Sequence, residues 1–178
     1  MSTEPRFESE NQSDTTAYTP TQDTCQDPSG YPKTSEGDNE LELISSIPWP
    51  KSTYILSSKS DRRVLTLLDG EVILDTLGGR GSIHWELFES RGWYGIRNVP
   101  SGRLLGHDKK GKLICEVKIH NEWECFTPRA RPDGGHDLLM RFWDNLVPVC
   151  LKTESGKERL FRITDGKSKS VVWEFTKV

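Results

Sequence analysis

The chain of 178 residues is long enough for one domain with a substantial core and too short for two ordinary domains. Its formal charge of −3 hides a division, because residues 1–47 carry −8 whereas residues 48–178 carry +5 and all six tryptophans. No run approaches the roughly 20 apolar residues of a transmembrane helix, and four cysteines over this length argue against a small disulfide-stapled fold.

Residues 1–47 are mostly Ser, Thr, Gln, Asn, Asp, Glu, Pro and Gly, with no hydrophobic periodicity beyond Leu41 and Leu43. Such a segment cannot bury enough apolar surface to offset a cost of about 1–2 kcal/mol for each ordered residue. We therefore expect a disordered acidic tail. It lacks the basic and apolar regions of a secretory signal and is too acidic for a transit peptide, so we expect a cytoplasmic protein without a membrane partner.

Three Trp-Glu pairs divide residues 48–178 into three units. The pairs begin at Trp85, Trp123 and Trp173, each near the end of its unit. The first two pairs continue alike, as Trp-Glu-Leu-Phe and Trp-Glu-Cys-Phe, and the third is shortened to Trp-Glu-Phe. Before each Trp, short apolar runs alternate with turns of Asp, Gly, Ser, Pro and Lys, of which Asp69-Gly70 is the strongest hairpin signal. The predicted strands are 54–56, 63–68, 71–74 and 85–88; 94–96, 103–106, 112–115 and 123–126; and 138–140, 147–151, 159–163 and 173–175.

Three copies of a four-strand unit predict an all-β domain, a single β-trefoil at residues 48–178, because closing a barrel removes the exposed edges of a twelve-stranded sheet. Alternation along each strand places Trp85, Trp123 and Trp173 inward at threefold-related positions and the following Glu in solvent. Burial of each Trp contributes about 2–3 kcal/mol. The shortened third unit predicts a bulge or a shifted register in the last strand.

The stretch Gly102–Glu116, which reads GRLLGHDKKGKLICE, resembles the repeat of the fascin-like, actin-crosslinking-like β-trefoil family. In that family a Gly-Arg-Tyr-Leu strand leads through Asp-x-x-Gly into a strand that ends near Cys or Asp. The likeness in repeat plan covers residues 49–178 and is sharpest over 93–128. It implies a binding protein for actin or another protein surface. Fascin has four trefoils where this chain has one, and we carry over none of its actin-contacting residues to positions in this chain.

A second trefoil family, the ricin-B-like lectins, is marked by Gln two residues before the Trp. Ile83, Asn121 and Val171 occupy those places here. This difference argues against a ricin-type sugar site, although it leaves other modes of sugar binding open.

Several residue clusters have the composition of a site but not its spacing. Cys115, His120 and Cys125 lack the two-cysteine knuckle of a structural zinc site, so we interpret them as core thiols and a turn histidine. A Cys115–Cys125 disulfide is the alternative, which a reducing cytosol disfavours. The glycines of residues 78–81 lack the Lys-Ser/Thr of a phosphate-binding loop, and no nucleophile motif accompanies His136-Asp137. We therefore expect no metal, cofactor or catalytic residue. The basic clusters read as turn residues, so we expect no nucleic-acid partner.

Trp143 is the tryptophan that the repeat does not explain. It lies at a turn where the first two units carry Ser60-Asp61 and Ser101-Gly102. An exposed Trp between Arg141 and Asp144 is typical of a recognition patch. The alternative is that Trp143 folds over the mouth of the barrel and covers the core.

The sequence thus predicts a non-catalytic binding module, by resemblance for actin or another protein surface. The alternative is a small-molecule or carbohydrate binder, or a biosynthetic-pathway enzyme, that uses a pocket near Trp143. In that case the predicted ligand-binding residues are Trp143, Arg141, Asp144, His107 and Asp108.

Overall fold

The computed structural model describes residues 45–165 and 168–178, so nearly all of the predicted acidic tail lies outside the described residues. No helix in the described part is long and apolar enough to cross a membrane. The strands are β1 Ser52–Ser58, β2 Val64–Leu68, β3 Glu71–Asp75, β4 Trp85–Ser90, β5 Trp93–Asn98, β6 Leu104–His107, β7 Leu113–Val117, β8 Phe126–Ala130, β9 His136–Phe142, β10 Asn145–Glu154, β11 Lys157–Arg162 and β12 Val172–Lys177, with a short 3-10 turn, η1, at Glu122–Glu124 before β8.

Six of the strands close a barrel. β1 pairs with β4, β4 with β5, β5 with β8, β8 with β9, β9 with β12, and β12 returns to β1, all antiparallel. The other strands form the hairpins β2–β3, β6–β7 and β10–β11. These hairpins meet one another where Glu71 pairs with Ile114 and Lys112 with Phe161. Three four-strand units arranged in this way are a β-trefoil, which confirms the predicted fold class.

The register of the barrel identifies the threefold-related core positions. The first barrel strand of each unit carries an aromatic or imidazole side chain among its first three residues, and that residue lies opposite a large aromatic residue on the fourth strand. The three pairs are Tyr54 with Trp85, Tyr94 with Phe126, and His136 with Trp173. Trp85, Phe126 and Trp173 are fully buried in the core.

The middle unit therefore corrects the predicted register, because Phe126 and not Trp123 occupies the threefold position. Residues 122–124 form η1 instead of a strand, which turns the Trp123 side chain outward to 45% exposure and buries the Glu124 side chain to 5% exposure. The placement predicted for Trp-Glu is thus inverted in this unit. Only Trp85 and Trp173 among the six tryptophans are fully buried.

The predicted irregularity in the last strand is also wrong. β12 pairs with β1 over five consecutive residues without a shift. Thr176 follows Phe175 where the first unit has Phe88, so the third unit is not missing a residue. The register shift occurs instead between Leu104 and Leu105, where β6 pairs with β7.

Glu124 provides a stability prediction for the middle unit. One of its carboxylate oxygens accepts a hydrogen bond from the backbone N–H of Asn121 at 3.0 Å, and burial raises the pKa of the carboxyl group. A carboxyl whose pKa is higher in the folded state stabilises the fold when protonated, and this contribution is lost as the pH rises through the raised pKa. We therefore expect Glu124→Gln to raise the melting temperature at pH 7.

The gain should shrink as the pH falls towards about 3, below the ordinary pKa of Glu, where the carboxyl is protonated in both states. Glu122→Gln is the matched control, because the Glu122 side chain lies in the same turn but is 75% exposed. Thermal melts of the three proteins at both pH values make the comparison. A lower melting temperature for Glu124→Gln at pH 7 would contradict the account.

Candidate functional site

Trp143 lies in the hairpin turn between β9 and β10. Phe142 pairs with Asn145, which leaves Trp143 and Asp144 as a two-residue turn. The φ angle of Trp143 is +52°, in the left-handed region that Gly or Asn normally occupies and that costs a bulky residue about 1–2 kcal/mol. The side chain is 79% exposed. Trp143 therefore does not cover the core, and the turn holds a strained aromatic residue in solvent.

A cleft of about 330 Å³ lies beside Trp143, and we call it the Trp143 cleft. It forms where the β9–β10 turn approaches η1 from the middle unit and the ends of β6 and β11 from the cap. The side chains that line it combine aromatic rings with cationic groups: His107, Lys109, Glu122, Trp123, Arg141, Phe142, Trp143 and Arg162.

His107 and Trp123 form one wall of the cleft. Their rings stack with centroids 5.1 Å apart and planes 24° apart, and His107 is only 3% exposed. The Nδ1 atom of His107 donates to the carbonyl oxygen of Asp108 at 2.7 Å, since a carbonyl oxygen can only accept. Its Nε2 atom has no hydrogen-bond partner among the described residues. Burial and, to a smaller extent, the charge of Arg162 lower the pKa of His107.

Two arginines give the cleft its positive charge. The guanidinium carbon of Arg162 lies 3.7 Å from the centroid of the Phe142 ring, and that of Arg141 lies 5.5 Å from the centroid of the Trp93 ring. Arg141 makes one long ion pair, 3.8 Å, with Glu122. Together with Lys109, three cationic side chains therefore face a single carboxylate among the residues that line the cleft.

Arg141 also lines two neighbouring depressions. One, of about 320 Å³, lies between the β4–β5 turn and the segment around His120, and includes Trp93 and Cys125. The other, of about 310 Å³, lies on the far side of Trp143 and includes Asp144 and Leu146. The recessed surface around Arg141 is thus larger than the Trp143 cleft alone.

The structure brings together three of the five predicted site residues, since Trp143, Arg141 and His107 line one cleft. Asp144 lies beyond Trp143 in the neighbouring depression. Asp108 is directed elsewhere, because its Oδ1 atom accepts hydrogen bonds from the backbone N–H groups of Lys110 and Lys112 and so shapes the β6–β7 turn.

Sequence reasoning missed Trp123 and Arg162. The repeated Trp-Glu motif assigned Trp123 to the core, although Asn121 followed three residues later by Glu124 has the spacing of the capping box that begins η1. Arg162 also carried a signal, because it interrupts the apolar run Leu160-Phe161-Arg162-Ile163 near the end of a strand. A charged residue in such a run is either paired or functional.

The cysteines belong to the packed interior. Cys115, Cys125 and Cys150 are buried and free, and burial raises the pKa of Cys115 and of Cys150 to about 11. No group of three or more His, Cys, Asp and Glu side chains within the described ranges is placed to hold a metal ion. Residues 78–81 lie in the loop between β3 and β4, as the sequence predicts.

Comparison with known proteins supports the fold. No protein-family model matches the chain, and no curated protein matches it. Among solved structures, the β-trefoil of BEL is 15% identical and covers 76% of this chain and 100% of its own, with a TM-score of 0.58. An exo-β-1,3-galactanase from Clostridium thermocellum is 23% identical and covers 71% of this chain and 30% of its own, with a TM-score of 0.58.

A third similar structure is the GlcNAcα1-4Gal-releasing endo-β-galactosidase from Clostridium perfringens, which is 15% identical over 71% of this chain and 32% of its own, with a TM-score of 0.57. This chain therefore spans about a third of the length of each enzyme. At these identities the likeness shows the fold alone. None of these three structures is named as a fascin-like protein, so that resemblance stays a prediction.

Proposed function

We propose that the domain is a non-catalytic carbohydrate-binding module whose ligand lies in the Trp143 cleft. The observation that carries the proposal is the pair of exposed indoles, Trp143 and Trp123, on a cleft that also holds two guanidinium groups. Flat aromatic surfaces pack against the apolar faces of a sugar ring, while a few placed polar groups bind its hydroxyls and fix its orientation.

The comparisons add support of a weaker kind. Two of the similar structures are named as a galactanase and a galactosidase, and the part that matches this chain is about a third of each. A galactose-containing glycan is therefore a reasonable first ligand to test. The absence of ricin-type Gln residues does not oppose this choice, because the Trp143 cleft is built from other residues.

The small number of carboxylates in the Trp143 cleft favours binding over hydrolysis. Most glycosidases use two Asp or Glu side chains that flank the scissile bond. Glu122 is the single carboxylate among the described residues that line the Trp143 cleft, and it is largely exposed to solvent. The cleft therefore lacks the pair that this chemistry requires.

A glycan array probed with the full chain tests the proposal. We expect binding to a subset of glycans that is lost in Trp143→Ala. Trp49→Ala is the matched control, because Trp49 is also exposed but does not line the cleft, and it should bind as the unchanged protein does. Absence of any glycan binding, or equal binding by Trp143→Ala, would contradict the proposal.

Actin or another protein surface is the second candidate partner. Its support is the fascin-like resemblance of residues 102–116, together with an exposed Trp beside an Arg, the residue types that anchor protein interfaces. Cosedimentation of the full chain with actin filaments tests it. Loss of pelleting in Trp143→Ala would assign the same surface to actin, whereas no pelleting by the unchanged protein removes actin as a partner.

A further inference from the structure

Arg162 is a feature of the Trp143 cleft that binding of a neutral sugar leaves unexplained. Six arginines are half-buried among the described residues, and five of them pair with a carboxylate within 4 Å: Arg63, Arg97, Arg131, Arg141 and Arg159. Arg162 has no such partner within the described ranges, and its Nε atom is buried without a hydrogen bond. The guanidinium group is thus partly removed from water without a counter-charge, which carries an energetic cost that an anion in the cleft would offset.

We propose that the glycan bound in the Trp143 cleft carries an oxyanion, a carboxylate or a sulfate ester, and that this group pairs with Arg162. The inference rests on the proposed function and specifies the chemical class of its ligand. An oxyanion can accept two parallel hydrogen bonds from the planar guanidinium group, an arrangement that a single hydroxyl cannot match.

Arg162 is held in place before any ligand arrives. Its backbone N–H donates to the carbonyl oxygen of Gly111 at 2.7 Å, and its guanidinium group lies against the face of Phe142. Packing against an aromatic face fixes the orientation of the guanidinium plane and lowers the side-chain entropy that would be lost on binding. The residue is therefore preorganised for a ligand.

The surroundings favour an anion over a neutral group. Lys109 and Arg141 line the same cleft. The carboxylate of Glu122, which also lines it, already forms an ion pair with Arg141. Arg159, three residues earlier on the same strand, has its own partner in Glu71 at 2.8 Å. The contrast between Arg159 and Arg162 shows that β11 supplies one arginine for structure and leaves the other with its charge facing the cleft.

His107 couples this site to pH. Burial is the largest cause of the lowered pKa of His107. The charge of Arg162 lowers the pKa further, the carbonyl and carboxylate of Asp108 raise it, and Trp123 stacks on the ring. Lys109, Glu122 and Arg141 line the same cleft. An anion that neutralises Arg162 removes one cause of the lowered pKa, so anion binding should favour protonated His107. Affinity should then rise as the pH falls.

Isothermal titration of the full chain with three galactose trisaccharides tests the proposal: one neutral, one with a sulfate ester and one ending in galacturonic acid. We expect at least one anionic trisaccharide to bind about tenfold or more tightly than the neutral one, and Arg162→Gln to abolish this preference. Arg162→Lys, which keeps the positive charge but cannot donate two parallel hydrogen bonds, should retain part of the preference. Arg159→Gln is the matched control and should keep the full preference.

The outcomes separate the two proposals. Equal affinity for neutral and anionic trisaccharides overturns the anionic specificity and leaves glycan binding intact, whereas failure of every glycan on the array removes both. Inorganic sulfate that binds as tightly as the sulfated trisaccharide would show a general anion site and overturn the glycan assignment. With the sulfated ligand, which stays charged throughout, affinity should increase from pH 7.5 to pH 5.5, and His107→Gln should remove that increase; an unchanged pH profile in His107→Gln would overturn the coupling.

Discussion

Replacing Phe126 with alanine is expected to lower the free energy of unfolding by about 3–5 kcal/mol, the usual cost of removing a large aromatic side chain from a core. Phe126 is fully buried and lies opposite Tyr94 at the position that Trp85 occupies in the first unit. Trp123→Ala should cost only about 1–1.5 kcal/mol, because its side chain is already half in solvent. Urea denaturation of the two variants measures the difference.

Trp85→Ala is the positive control for this comparison, since Trp85 is fully buried and its indole N–H donates to the carbonyl oxygen of Leu65 at 2.8 Å. It should destabilise the protein at least as much as Phe126→Ala does. If Trp123→Ala proves as costly as Phe126→Ala, the repeated Trp-Glu motif would mark the true register after all, and the outward position of Trp123 in the cleft would be wrong.

Trp143→Gly should separate ligand binding from stability. Removal of the indole should weaken glycan binding by about 2 kcal/mol or more, roughly 30-fold in Kd, as for other central aromatic anchors. The free energy of unfolding should change by less than about 1 kcal/mol, because glycine relieves the strain at a φ of +52° while it adds freedom to the unfolded chain. Titration with a bound glycan and thermal melting measure the two effects.

Trp143→Ala provides the control for the strain. Alanine removes the same indole but keeps a Cβ atom in the left-handed region, so this variant should be less stable than Trp143→Gly and equally poor in binding. A Trp143→Gly protein that binds as well as the unchanged chain, or that is strongly destabilised, would show that the indole serves the fold instead of a ligand.

The number of strands and their arrangement could be predicted from the sequence because the signals are local. Alternating apolar residues and turn pairs such as Asp69-Gly70 mark each strand, and their threefold recurrence indicates a closed barrel. The register of the middle unit could not be predicted in the same way. The identical residues Trp85-Glu86 and Trp123-Glu124 suggest that Trp123 takes the same core position as Trp85. The 3-10 turn η1 instead places Phe126 at that position.

The candidate site was predictable mainly from the one residue that broke the repeat, together with residues near it. Trp143 stands out because polar residues occupy the corresponding turns, and Arg141 and His107 do line the cleft beside it. Trp123 and Arg162 join them through contacts between different units, which depend on the packing of η1 and the cap hairpins against the β9–β10 turn. Asp108 was predicted to belong to the site and does not. His107 beside it lines the cleft, whereas the Asp108 carboxylate accepts hydrogen bonds from backbone N–H groups of the β6–β7 turn.

The indole N–H resonances of the six tryptophans report where on the domain a ligand binds. In ¹⁵N-labelled full chain titrated with the sulfated galactose trisaccharide, we expect the signals of Trp143 and Trp123 to shift and to saturate together. Those of Trp85 and Trp173, buried in the barrel, and of Trp49, which does not line the cleft, should stay in place. Binding that moves Trp49 and leaves Trp143 and Trp123 unchanged would contradict the placement of the ligand in the Trp143 cleft.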